Sequence, residues 1–463
     1  MKPWDEKDFR GLEGPKGFFV FKVVLVLSTV GSVGEYGLMR NILFLTCLGF
    51  IFPAMAQTNS VFSVRDFGAR GDGKSDDTAA FQKALDTAGQ AGGGTVLADR
   101  GNYFFAGHLT VPRAVTMAGI WKSVPSHNGL RDAGAPKPTD DGTTFLVTEN
   151  EGKENGPGFV TLTDDSTLTG VVIYYPLQKT DAVPKAYPWS VVMRGKNPAV
   201  LEVELLNAYN GIDASQNERA LIRNVAGQPL RRGVFVDAIY DISRIENVHF
   251  NPWWTVNPVV FDWQKENGEA FIFGRSDWQY ALNTFCFGYK VGYKFVLTPT
   301  GVCNGNFVGI GADDCFTAVV VEGCANYGLL IVNGEFTSFH GPDPTMVEVG
   351  PKNWGSARFS NCAFWGPCNQ IAKIAGRGTV GFSDCTFCAW DSHEQGKNAL
   401  QVSGGSVLVR GCEFQMDKPQ MDLGVDVQRA VFSDNLIKGK LRVTYHSSRK
   451  FDIHDNATDE PAR

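Results

Sequence analysis

The chain has 463 residues, 43% of them hydrophobic and 20% charged, with 43 basic and 49 acidic side chains. That composition supplies a sizeable core and excludes a disordered or fibrous chain. The formal net charge is −6 and no basic block occurs, so nothing points to nucleic acid.

The first 56 residues differ from the rest. Two apolar runs, "GFFVFKVVLVLSTVGSVG" from Gly17 and "NILFLTCLGFIFPAMA" from Asn41, precede the first globular pattern. In the second, Met39 and Arg40 form a short basic start, an apolar stretch follows, and Ala54 and Ala56 sit at the small-residue positions before Gln57. This is the form of a secretory signal, with Met39 as the start, cleavage after Ala56 and residues 1–38 as an upstream extension. Lys22 splits the first run and neither run reaches the roughly 20 apolar residues of a spanning helix, so no stable membrane insertion is expected after cleavage. The expected product is secreted or periplasmic, one domain over 57–463. Taking the six basic and five acidic residues of the leader from the totals leaves it 37 and 44.

That domain begins with "VRDFGARGDGKSDDTAAFQKALDTA", residues 64–88, which gathers Asp66, Asp72, Asp76 and Asp77 in a glycine-rich run. Ala80, Phe81, Ala84, Leu85 and Ala88 then recur at helical spacing, which predicts a helix near 77–88. Asp76 and Asp77 stand where an N-cap and a first-turn acid belong. The carboxylate cluster is therefore expected to start a capping helix and not to form an active site. "AGGGTVLADRGNYFFAGHLTV" follows as a tight turn and the first strands.

The stretch "RDFGARGDGKSDDTAAFQKALDTA", continued by "GGTVLADRGNYF", resembles the N-terminal signature of the pectate lyase superfamily, in the branch related to glycoside hydrolase family 28 and described as rhamnogalacturonase/epimerase-like. The resemblance covers about residues 60–115. It implies a right-handed parallel β-helix and a polysaccharide hydrolase, lyase, epimerase or tailspike. Polygalacturonases of this clan carry one Asp in an N-T-D, two adjacent Asp, a His-Gly and an Arg-x-Lys. Here "GADDC" offers Asp313 and Asp314, and "FHG" offers His340 and Gly341, without the N-T-D and Arg-x-Lys at the corresponding places.

Farther along, "NGID", "GVFVD" and "VVFD" end at Asp213, Asp237 and Asp262, 24 and 25 residues apart, each after a strand-like run. If these stack one coil apart, neighbouring carboxylates lie about 5 Å from each other and raise one another's affinity for protons. Such a ladder would supply an acid and a base for glycoside hydrolysis. The segment "NPWWTVNPVVFDWQKENGEAFIFGRSDWQY" adds Trp253, Trp254, Trp263, Trp278 and Tyr280 among Glu266, Glu269, Arg275 and Asp277. Flat rings suit sugar faces and charged groups suit hydroxyls or uronates, which makes these residues, with His340, the candidate substrate contacts and Asp277 a further candidate acid.

The C-terminal part repeats one phrase. "ARFSNCAFWG", "VGFSDCTFCAW", "VLVRGCEFQM" and "AVFSDNLIKG" place Cys362, Cys385, Cys412 and Asn435 at successive spacings of 23, 27 and 23. Each phrase is a strand closed by an Asn, Asp or Gly turn, with no helical pattern long enough for βα crossovers. Fixed-period strands and turns describe an all-β parallel β-helix, in which the three cysteines form an inward column. The lone CxxC at Cys385 and Cys388 lacks the second pair of a zinc site. The function expected is acid/base hydrolysis of an extracellular polysaccharide or oligosaccharide without a cofactor. The alternatives are a lyase whose aspartates hold calcium while Arg275, Lys290 or Lys294 acts as base, and a non-catalytic carbohydrate-binding β-helix.

Overall fold

The computed structural model describes residues 60–125, 127, 131, 137, 138 and 140–459; the predicted leader and its cleavage site lie outside them. One hydrogen-bonded network joins 37 strands, and its strand pairings are parallel. Each coil contributes to three sheets. In one coil Arg232–Asp237 lies in sheet I, and Arg244–Phe250 supplies sheet II with its first half and sheet III with its second. The next coil repeats this with Glu269–Phe273, Gln279–Leu282 and Phe285–Phe287. This is a parallel β-helix.

The turn residues named by the repeat make the corner between sheets II and III. Asn224, Asn247, Asn283, Asn333, Asn361, Asp384 and Asp434 all have φ between 51° and 58°. Asn and Asp accept this left-handed geometry more readily than other side chains. The Asn247 carboxamide donates to Asn224 Oδ1 at 2.7 Å, and that of Asn361 to Asn333 Oδ1 at 2.8 Å. One bend per coil thus holds the next.

Behind that corner, Cys362, Cys385 and Cys412 form the expected inward column, and the Cys385 thiol donates to the Phe359 and Ser383 carbonyls at 3.5 and 3.3 Å. All nine cysteines among the described residues are free thiols. Phe364, Phe387 and Phe414 stack beside them in register, with ring centres 5.4 and 4.8 Å apart.

The N-terminal helix, Thr78–Gln90, buries Phe81, Ala84, Leu85 and Ala88, and Phe81 meets Tyr103, Phe105 and Phe145 edge-on. It covers the first coils, as expected, but the two aspartates divide the work differently. Asp76 accepts the Thr78 N–H at 3.0 Å and so caps the helix. Asp77 occupies the N-cap position without capping; its buried carboxylate accepts the Arg70 and Gly71 N–H groups at 2.6 and 3.1 Å. Asp72 closes the intervening turn, where the N–H groups of Ser75 and Lys74 hold its carboxyl down to about 2.

Candidate functional site

The three-aspartate ladder does not form. In sheet I, Asp213 lies opposite Phe235, and Asp237 lies opposite Ser215. Equal chain spacing is therefore two residues out of register. Asp213 is held by Arg194 at 2.6 Å, and Asp237 Oδ1 accepts the Arg275 N–H and the hydroxyls of Thr298 and Thr300, which fixes a turn. Asp262 is not at a strand end at all. Asn257 caps and Pro258 begins a helix, Pro258–Asn267, whose exposed face carries Asp262 and Glu266. The Asn-Pro dipeptide is a helix start, and it outweighs the strand-like "VVF" behind it.

The same helix disposes of much of the aromatic segment. Trp254 is buried with Val172, Tyr174, Leu206, Leu230 and Val260, and Trp253 is buried against His249. Trp263 packs on Tyr209 at 5.8 Å. Tyr280 faces Arg244 and Asn306 within sheet II. Asp277 pairs with Arg275 at 3.1 Å, and Trp278 stands out into solvent. Two of the candidate bases are held by carboxylates, Arg275 by Asp277 and Lys294 by Glu269 at 3.0 Å and Glu322 at 3.4 Å. The Arg275 pKa is raised by its bond to Asp277, and burial of Lys294, which alone would lower its pKa, is outweighed by Glu269 and Glu322.

What the fold does assemble is the pair of motifs from "GADDC" and "FHG". Asp313 ends a sheet III strand, Gly311–Asp313. The next residue, Asp314, has φ 53° and turns toward sheet I, where His340 from the following coil contacts its carboxylate through Nδ1. Thr337 holds the arrangement: its hydroxyl donates to Asp313 Oδ1 at 2.7 Å and accepts the Asp314 N–H at 2.9 Å. Ser338 ties the His340 loop to the Cys315 carbonyl at 3.1 Å. Gly341 passes against Phe316 with φ 95°, a left-handed conformation that glycine adopts without strain.

Burial raises the affinity of Asp314 for a proton; His340 and Lys265 act the other way, and Asp313 adds to the rise. The Asp314 side chain is 9% exposed and that of His340 is 44% exposed, so a proton held between them has a route to solvent. Lys265 comes from the inserted helix, with its ammonium 3.2 Å from Asp262 and 4.7 Å from the Phe261 ring. Phe261 stacks on Phe287, and Trp365 meets Phe339 edge-on beside the His340 loop. Sequence reasoning missed Lys265, and the cue was the same Asn-Pro helix start. No cluster of His, Cys, Asp and Glu among the described residues has the form of a metal site.

A second concentration of charge lies on the outer face of sheet I. Arg232 sits over the Trp189 ring at 5.6 Å and pairs with Glu154 at 3.0 Å, while Trp189 stacks on Phe235. Arg231, Glu269 and Lys294 continue the row, with Lys294 3.0 Å from Glu269. A cavity of about 660 Å³ lies elsewhere, over the first coils between Asp72, Asn102, Leu146, Tyr174 and Asp181. Its Asp72 is committed to a turn by the N–H groups of Lys74 and Ser75.

Residues 61–161 match the family described as rhamnogalacturonase A/epimerase, pectate lyase-like. The resemblance to the pectate lyase superfamily stands. The chain also matches, over 46 residues or 10% of its length, alginate lyase 7 and mannuronan C5-epimerase AlgE3 of Azotobacter vinelandii, at 56% and 61% identity. The matched segments span only 5% and 2% of those two proteins. Among solved structures, the N-terminal fragment of bacteriophage phi29 gene product 12 superposes with a TM-score of 0.54 at 12% identity, covering 81% of this chain and 66% of that one, which shows the fold alone.

Proposed function

We propose that the protein hydrolyses glycosidic bonds in a polysaccharide at the Asp313, Asp314 and His340 cluster. The observation that carries this is the buried Asp314 carboxyl, whose proton affinity is raised beside a solvent-reaching histidine. Asp314 donates its proton to the departing glycosidic oxygen, and His340 relays a replacement from water. Asp313, more open and oriented by Thr337, accepts the proton of the attacking water. Two carboxyl groups in unlike surroundings are what acid and base roles require. Trp365 and the Phe261 and Phe287 pair border the cluster and offer faces for sugar rings.

A second reading is elimination or epimerisation on a uronate polymer. It is favoured by the names of the two curated relatives and by Tyr209, whose surroundings include Arg231, Arg232 and Glu154. Product analysis separates them. Hydrolysis yields a new reducing end without ultraviolet absorbance, elimination yields an unsaturated, absorbing end, and epimerisation yields neither. Under the hydrolase reading Asp314→Asn lowers turnover by about 10²–10⁴-fold with the fold intact. Unchanged turnover in Asp314→Asn, or an unsaturated product, would overturn it.

A further inference from the structure

On the opposite edge of sheet I, at its corner with sheet II, five consecutive coils each expose one large apolar side chain. They are Tyr240, Trp278, Leu297, Tyr327 and Trp354, all at least 49% exposed. Six Trp and Tyr residues are exposed among the described residues, and four of them belong to this row. Scattered singly, exposed aromatics mean nothing; lined up on one corner, they make a surface with a purpose.

The row is not a bare apolar stripe. The Arg275 guanidinium lies 4.5 Å from the Tyr240 ring, the first member of the row. Arg275 bonds to Asp277 and the Thr300 carbonyl, yet its Nε has no hydrogen-bond partner. At the Tyr240 end opens a pocket of about 330 Å³, lined by Asp164, Lys196, Gln216, Asn217 and Glu218 with the Tyr240 ring as one wall. Asn217 is 4% exposed, and its Oδ1 lacks a partner while its amide reaches only the Met193 carbonyl at 3.5 Å. A buried acceptor left unfilled beside a flat apolar face complements a ligand that is rich in hydroxyls and has apolar ring faces.

We infer that this corner is a glycan-binding track, separate from the acid cluster, on which an extended polysaccharide lies along the helix axis with one end seated in the Asn217 pocket. The coil repeat of about 4.8 Å is close to the length of one sugar unit in an extended chain, so successive rings meet successive sugars. The track lies across sheet I from Asp314, a strand of five residues in Thr317–Val321, or roughly 16 Å. Only a polymer, and not a short oligosaccharide, occupies both. The inference rests on the reading of the protein as acting on polysaccharide, and its test does not depend on cleavage.

The test places Tyr240→Ala, Trp278→Ala and Tyr327→Ala together in the full chain carrying Asp314→Asn, and compares it with Asp314→Asn alone by affinity electrophoresis in gels of alginate, polygalacturonate and α-1,3-glucan. The parent is expected to be retarded by at least one polymer, and the triple variant to bind it at least about tenfold more weakly, from three lost stacking contacts. A melting curve shared by both proteins confirms that exposed truncations leave the fold alone. Equal retardation of the two proteins, or no retardation of the parent by any of the polymers, would overturn the track. Loss of retardation in the triple variant, in a protein whose parent sequence yields no cleavage product, would leave the track standing and remove the hydrolase reading alone.

Discussion

Replacing Asp77 by Ala is expected to cost more stability than replacing Asp76, although Asp76 is the residue that caps the helix. Asp77 is 1% exposed and receives two backbone N–H groups, from Arg70 and Gly71, at 2.6 and 3.1 Å. A hydrogen bond to a charged group contributes about 1.5–3 kcal/mol when both ends are dry, and the Arg70 side of this turn is open to water. Discounting for that water leaves roughly 2–3 kcal/mol for the pair of bonds. Asp76→Ala removes one cap and costs about 1 kcal/mol. Coils of a solenoid open in neighbouring groups, so the loss should appear first as faster amide exchange in Thr78–Gln90 and the first strands, while the coils beyond Phe285 keep their protection. Denaturant titration of both single variants, with exchange mapping and turnover on the same samples, reads all three quantities. If Asp77→Ala were the milder change, or if exchange rose uniformly along the chain, the assignment of Asp77 as the tie between turn and helix would fail.

The alkaline limb of the pH–rate profile should move to higher pH in His340→Ala. Burial raises the pKa of Asp314 while His340 lowers it, so removing the imidazole lets the carboxyl keep its proton longer; a limb that stays put or moves down would detach the histidine from the acid. Asn247→Ala should cost about 1–2 kcal/mol by denaturant titration and Asn247→Gly clearly less, because φ is 51° there; equal costs would mean that the left-handed bend is not what the residue supplies. His127 covers the buried carboxylate of Glu204, whose proton affinity burial has raised, so His127→Ala should cost about 3–5 kcal/mol and the double variant with Glu204→Ala should recover part of it. No recovery would mean that the histidine acts by packing alone.

The fold was legible because each coil writes the same two signals, an alternating strand and a left-handed corner, and Asn361, Asp384 and Asp434 carry the second of these visibly. The cysteine column followed, since each cysteine stands one residue after its left-handed corner and so keeps register whatever the coil length. The spacing of Asp213, Asp237 and Asp262 was measured from strand ends instead. Strands of unequal length and an inserted helix broke the register there, which period counting cannot detect. Asp313, Asp314 and His340 were visible as motifs, but their contact depends on the single bend at Asp314, and the part played by Lys265 depends on a helix folded back over three coils. Aromatic density along the chain likewise said nothing about facing. Within one aromatic-rich segment, Trp254 went inward and Trp278 outward.

The unpaired thiols give the solenoid a set of clocks. Nine of them are spread from Cys286 to Cys412, and only Cys388 is more than marginally exposed. Burial pushes Cys324 and Cys368 up to about 12, so neither offers a thiolate to an alkylating reagent until its own coil comes apart. The time each cysteine takes to be labelled is then the lifetime of the closed coil around it. Read by mass along the C-terminal half, those lifetimes would rank the coils by order of opening without any probe being added to the protein.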